Sequence, residues 1–390
     1  MPVLHRREGG SADRVQSARA TKPDRDGGLP SGGTVLRKSL LVASASFLLP
    51  LLLTACKSND NGPKTQTIAL SGAGSTFVYP AMTHWIAEYQ QANPNTRINY
   101  QSIGSGGGIQ QVRVGTVDFG ASDVALTDEQ LKTMPALLQI PETAGPVCIT
   151  YNLPDVKQPL HLTAAAIAGI YLGTIKSWQD AEITKANPGV KLPKMPIVVV
   201  HRADGSGTTG IYTEYLSAVS PEWKSKVGFG TSVNWPVGLG GKGNEGVTGQ
   251  VNNAVGSIGY VELAYAVQNN LPVAAVQNLA GNFVQPSIAS TSAAIDGDKT
   301  IIAADPRTPI VNPPATAPDA YPIAGLTFLL VPKDGTDMAK RAELKHFIAY
   351  IISNGQAVAG TLNYAPLPES VQAFDKQQLD NMLAGGQAIQ

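Results

Sequence analysis

Cysteine is nearly absent. Only Cys56 and Cys148 carry a thiol in a chain of 390 residues, too few for a disulfide framework or a cysteine-rich zinc site. The histidines are sparse and scattered: His5, His84, His161, His201 and His346 include no pair at helical ligand spacing, so no metal centre is expected. Charge of one sign is lacking too. With 29 basic and 29 acidic side chains, the chain has no excess for gripping nucleic acid. No apolar run reaches the roughly 18–20 residues that a membrane-spanning helix needs. What the chain does have is small residues and turn formers, 40 Gly and 28 Pro, within a composition that is 43% hydrophobic and 15% charged. That describes a folded protein with many turns and close backbone approaches, long enough for two domains or one large one.

The N-terminus is about targeting. Residues 1–34 are polar, Arg-rich and without period; Arg37-Lys38 then precede an apolar run from Leu40 to Leu53 that ends in Leu53-Thr54-Ala55-Cys56. A basic stretch, about 14 apolar residues and small residues before a cleavage point describe an export signal. Residues 1–55 are read as that signal, with an unusually long leader, and 56–65 as a polar tether. Leu-Thr-Ala-Cys resembles the bacterial lipobox, which implies that Cys56 is lipidated and anchors the mature chain to a membrane. Without residues 1–55 the chain keeps 21 basic against 25 acidic side chains. A mildly acidic protein can hold an anion only through local geometry.

Beyond residue 66 the pattern alternates between strand and helix. Thr67–Leu70, Arg97–Gln101, Asp118–Ala121, Ile197–His201 and Thr327–Val331 read as strands. Helices are expected through Trp85 and Tyr89, over Ile109–Val114, Asp128–Met134, Ala164–Leu172, Ile211–Ala218 and Ala342–Ile352. Such units predict an α/β fold with mainly parallel sheets. The Gly-, Pro- and Ser-rich segments 227–256 and 285–320 read as long loops.

Three glycine-rich turns each stand where a strand gives way to a helix: Gly72-Ala73-Gly74-Ser75-Thr76-Phe77, Gly104-Ser105-Gly106-Gly107-Gly108, and Asp204-Gly205-Ser206-Gly207-Thr208-Thr209. Glycine lets the backbone approach a ligand, hydroxyls add donors, and helix N-termini favour anions. Any one turn is equally an ordinary helix cap worth ~1 kcal/mol with no ligand at all. Three together, with Arg202 beside the third, point to a tetrahedral oxyanion. Enzyme motifs fit less well. Gly205–Gly210 has the spacing of a dinucleotide loop, but the region about 20 residues on, around Glu222, is not a strand end. Gly238-Leu239-Gly240-Gly241-Lys242-Gly243 lacks the phosphate-loop frame, and there is no nucleophile elbow.

Four of these runs, Gly72–Phe77, Tyr100–Ser105, Val117–Asp123 and Arg202–Thr208, resemble in order and spacing the phosphate-binding protein of the high-affinity phosphate ABC transporter (PstS type). Tyr321-Pro322-Ile323 and Asn363–Pro368 extend the resemblance toward the C-terminus. It implies a type II periplasmic-binding-protein fold, two α/β lobes joined by a hinge with the ligand in the cleft: lobe 1 from 66–145 and 320–390, lobe 2 from 146–319. It also implies the ligand set. Thr76, Phe77, Ser105 and Asp123 come from the first lobe, and Arg202, Ser206, Gly207 and Thr208 from the second, with Asp204 orienting the Arg202 guanidinium. Phe77 and Gly207 would act through their backbone N–H groups. Gly106 stands where some relatives carry Ser. The implied partners are inorganic phosphate and membrane permease subunits, with no cofactor and no catalysis, for a monomer.

Asp123 bears on which anion. A carboxylate beside a bound anion is repulsive unless it accepts a hydrogen bond from it; phosphate near neutral pH still carries a proton to donate and sulfate does not. Five residues before the Asp128 helix is too far for a cap. The other expectations are plain: Cys148 a buried free thiol, His201 packing or supporting the site, and Trp85, Trp178, Trp223 and Trp235 core or surface aromatics. Open alternatives are a binder of sulfate, molybdate or another oxyanion, an exported phosphatase-like enzyme, and a phosphate sensor or adhesin.

Overall fold

The computed structural model describes residues 67–389. The export signal 1–55, Cys56 and the tether 56–65 lie outside the described residues. Eight strands form one sheet: β1 (Ile68–Gly74), β2 (Thr96–Ser102), β3 (Phe119–Ser122), β4 (Leu137–Tyr151), β5 (Val198–Arg202), β6 (Leu239–Gly241), β7 (Ser257–Glu262) and β8 (Ala324–Pro332), in the order β2-β1-β3-β8-β4-β7-β5-β6. The outer pairs are parallel, β1 with β2 and β3, and β5 with β6 and β7. The centre is antiparallel: β8 runs against both β3 and β4, and β4 against β7.

The expectation of mainly parallel sheets holds on the flanks and is corrected at the centre. It came from strand–turn–helix units, and those units build only the flanks. The two long central strands carry no such signature. β4 is buried at every position after Leu137, so it has no polar–apolar alternation to betray it, and Pro141, Gly145 and Pro146 interrupt its apolar run. β4 pairs with β8 as far as Pro146 and with β7 from Val147 onward. A single strand thus carries the ladder from one half of the sheet to the other.

Other elements start earlier, or exist where none was expected. The second helix spans Ser105–Arg113 and takes in the glycine run; the helix expected from Ile211 spans Gly207–Val219; the one at Asp128 stops at Leu131. Helix-weakening glycines are tolerated there because the backbone needs their room. A Cβ at Gly108 would stand 2.6 Å from the Ala73 carbonyl oxygen, and one at Gly207 2.6 Å from the Asp123 nitrogen. The loop readings of 227–256 and 285–320 are corrected too: they hold β6 and helices Gly243–Asn253, Ile288–Gly297 and Lys299–Ala304. These helices are poor in strong helix formers and stand on buried faces, Val247 and Val251 in one, Ala294 and Ile295 in another. Ala294, Ile295 and Ile302 pack in a cluster with Ala73, Ile109 and Val112.

Trp85, Trp178 and Trp223 are fully buried, and each indole N–H donates to a backbone carbonyl, of Gly355, Gly256 and Gly228 respectively. A buried indole is inexpensive only when that donor is satisfied. Trp235 is half-buried and stacks on His201. Cys148 is a buried free thiol.

Candidate functional site

The site forms where the parallel strands end. β1, β2, β5 and β6 each run directly into the loop or N-terminus of a helix, and β3 ends at Ser122, one residue before Asp123, the place where open α/β sheets gather ligands. Three of the four helices there, Tyr79–Ala92, Ser105–Arg113 and Gly243–Asn253, have no side-chain cap, so their N-terminal N–H groups and dipoles face the site without an internal anion. The fourth, Gly207–Val219, is capped by Ser206, whose Oγ accepts from the Thr209 N–H at 3.0 Å. That leaves the Ser206 hydroxyl proton available to donate.

Seven of the eight residues expected to hold a ligand are tied together at or across this junction. Asp123 is 3% exposed. Ser75 donates to its Oδ1, and Ser105 and Thr208 donate to its Oδ2 at 3.4 and 3.5 Å. The Asp123 N–H in turn donates to Ser105 Oγ. Arg202, also 3% exposed, donates from Nη1 to Thr208 Oγ1 at 3.3 Å. Its Nε and Nη2 grip both oxygens of Asp204, at 2.9 and 2.6 Å. This fork-to-fork pair fixes the guanidinium plane and leaves Nη1 turned inward, the orienting role expected of Asp204. Gly207 lies against Ser105 and Asp123. Phe77 is the eighth. Its ring is buried 6.2 Å from that of Tyr364, and its carbonyl accepts the Tyr364 hydroxyl at 2.7 Å, which anchors the loop whose N–H groups border the site.

The two halves are in contact. Gly106 N–H donates to the Gly205 carbonyl at 2.9 Å, and a Cβ at Gly106 would come 2.9 Å from the Gly205 Cα. A serine at 106 would have to push the turns apart, so the absence of that hydroxyl is bound up with how closely they meet.

Burial pushes the Asp123 carboxyl up to about 6, against the pull of the Ser75 hydroxyl, the Arg202 charge and the Ser105 hydroxyl. Asp204 goes the other way: burial would raise it, but the hydrogen bonds and charge of Arg202 hold it below the ordinary carboxylate value. Asp123 is therefore the sensitive group of the site and Asp204 the permanent counter-charge. Asp123 serves no cap, since helix Asp128–Leu131 is capped by Thr127.

Sequence reasoning missed Ser75, Asn244 and Tyr265. Asn244 Nδ2 donates to Thr76 Oγ1 at 2.7 Å and to Thr208 Oγ1 at 3.2 Å, and its N–H also reaches Thr76. The neighbouring Gly243 N–H donates to Asp204. Tyr265 donates to the Thr76 carbonyl at 2.6 Å. The signal was present: Leu239–Asn244 is a fourth strand, glycine turn and helix start, with the grammar of the other three. Testing it against the lysine-bearing phosphate loop alone hid it.

The profile of the PBP superfamily domain matches residues 60–355. The phosphate-binding protein PstS of Xylella fastidiosa strain Temecula1 is 46% identical over 337 residues, covering 82% of this chain and 92% of that protein. The chain belongs to the PstS family of phosphate-binding proteins. PstS of Pasteurella multocida is 44% identical over 308 residues, covering 79% and 88% of the two chains. In fold, the chain is similar to an ABC-type phosphate transport receptor from Vibrio cholerae, with a TM-score of 0.51, 18% identity, and coverage of 77% of this chain and 100% of that one. The mixed α/β architecture is that of this superfamily. Among the described residues, no helix is long and apolar enough to cross a membrane.

Proposed function

We propose that this protein binds inorganic phosphate between its two halves and delivers it to an ABC-type import permease. The observation that carries the reading is Asp123, a buried hydrogen-bond acceptor inside a site otherwise built of donors. Thr76, Ser105, Ser206 and Thr208 offer hydroxyls, Phe77 and Gly207 backbone N–H groups, and Arg202 a charge-assisted N–H whose plane is set by Asp204. An anion that still carries a proton satisfies Asp123 by donating to it. A fully deprotonated oxyanion leaves two buried negative charges face to face, at a cost of several kcal/mol. This favours phosphate over sulfate or molybdate. A phosphatase-like role would need an activated nucleophile or a metal; the Ser105 and Thr208 hydroxyls reach the Asp123 carboxylate only at 3.4 and 3.5 Å, and among the described residues no group of His, Cys, Asp and Glu is placed to hold a metal.

β4 and β8 are the natural hinge. The first half comprises β1–β3 with the C-terminal helices, and residues 288–304 pack on its side; β5–β7 form the second. Opening about these strands would admit the anion and closure would bury it. The chain is exported by residues 1–55, held by a lipid on Cys56, and acts as a monomer.

The test is calorimetric titration at pH 7 of protein beginning at Lys57, stripped of phosphate, first with phosphate and then with sulfate, repeated on Asp123→Asn. The expected result is tight phosphate binding, no sulfate signal, and sulfate binding gained by the variant. Absence of phosphate heat and of thermal stabilisation would reduce the glycine turns to caps.

A further inference from the structure

A second carboxyl is built into the sheet behind Asp123. In the ladder of β4 with β8, Thr327 pairs with Thr143 and Phe328 with Pro141, so Glu142 is the extra residue of a bulge. Its side chain is fully buried. Thr327 Oγ1 donates to its Oε1 at 3.0 Å, and its Oε2 has no partner among the described residues. On the other side of β8, Phe328 pairs with Ser122, which puts Thr327 next in register to Asp123. Glu142 and Asp123 thus flank one residue of the hinge strand.

The groups facing Glu142 are acidic or neutral: Asp123 just after β3 and Tyr100 on β2, which feels the charges of both. Beyond Asp123 stand Arg202 of β5, already held by Asp204, and Glu262 of β7, whose Oε2 takes the Ala264 N–H and the Tyr364 hydroxyl. No ion pair found among the described residues involves Glu142. Burial pushes its carboxyl up to about 8, opposed by the Thr327 hydroxyl and aided by the charge of Asp123. Bulges are retained where they re-aim a side chain, and two neighbouring buried carboxyls cannot both ionise cheaply.

We propose that Glu142 is a pH-sensing carboxyl behind the anion site: it stays uncharged beside ionised Asp123, and its ionisation, by adding a second buried negative charge, expels the bound anion. This rests on the phosphate reading above. It makes the site self-limiting at alkaline pH, where the ligand itself does not change, because the phosphate dianion keeps its last proton well beyond that range.

Phosphate titrations at pH 7, 8 and 9 test it. Wild type should lose affinity above pH 8, by up to tenfold per unit, while Glu142→Gln, which keeps an acceptor for Thr327, should match wild type at pH 7 and stay flat from pH 8 to pH 9, where phosphate is already almost all dianion. Thr327→Val, which removes the donor that holds the Glu142 carboxyl down, should move the fall to higher pH and carries the test if the Gln variant does not fold. Without ligand, the Tm of wild type should drop relative to Glu142→Gln between pH 5 and pH 8, as an acid that is neutral when folded and charged when unfolded requires. An alkaline fall that is absent from wild type, or equal in the Gln variant, overturns the role of Glu142 alone. Failure of wild type to bind phosphate at pH 7 overturns the phosphate reading and this role with it.

Discussion

Asn244, at the start of a helix in the second half, donates to Thr76 Oγ1 of the first half at 2.7 Å, and the same amide group reaches Thr208. One side chain therefore joins the Thr76 loop of the first half to the start of the Thr208 helix in the second. Asn244→Ala should weaken phosphate binding by roughly 10- to 100-fold, since two hydrogen bonds of about 1 kcal/mol each are lost and a buried hydroxyl loses its donor. Calorimetry reads the affinity, and an unchanged Tm of the ligand-free protein would place the loss in closure.

Arg202 depends on Asp204 for its plane. Asp204→Ala removes both oxygens that hold the guanidinium and the acceptor of the Gly243 N–H. Hydrogen bonds between charged partners contribute about 1.5–3 kcal/mol, so phosphate affinity should fall by about 10- to 150-fold. Asp204→Asn should recover part of it by accepting from one side of the fork. Equal losses in the two variants would mean that charge, and not orientation, is what Asp204 supplies.

At Gly207 the halves meet without space for a methyl group. A Cβ there would stand 2.5 Å from Ser105 Oγ and 2.6 Å from the Asp123 nitrogen. Gly207→Ala should abolish closure and high-affinity binding while leaving each half folded. Small-angle scattering with and without phosphate checks this: the wild-type radius should shrink on binding and that of the variant should not.

Asp123 carries the pH dependence on the acid side. Its pKa is raised to about 6 from a model-compound value of 3.8, so it is neutral in the folded protein across a range where it would be ionised in the unfolded chain. Its contribution to stability is present below 3.8 and lost as the pH rises through 6, an effect on the order of 3 kcal/mol. Ligand-free Tm should decline over that interval and decline less in Asp123→Asn. Discrimination follows the same titration: below pH 6 the protonated carboxyl becomes a donor, and sulfate, silent at pH 7, should begin to bind. Calorimetry with sulfate at pH 5 and pH 7 is the check.

The residues of the site were legible because anion binding at helix starts uses a local grammar. Gly72–Phe77, Gly104–Gly108 and Arg202–Thr208 each announce themselves within a few positions, as do the flanking parallel strands that feed them, whereas Asp123 was expected only from the family resemblance. The sequence by itself also determined the two long-range facts of composition: no thiol framework, and no charge excess to attract an anion from afar. What only the tertiary structure decided is everything that depends on two distant segments meeting. β4 and β8 are buried on both faces and so lack alternation, which is why the antiparallel centre of the sheet and the bulge at Glu142 could not be read. Helices 243–253 and 288–297 are stabilised by what they pack on and not by their own propensity, so their segments look like loops. Asn244 reaches Thr76 across 168 positions, and no local pattern encodes such a bond; it exists because chain folding brings a fourth helix start to the same point, where burial makes an unsatisfied hydroxyl expensive.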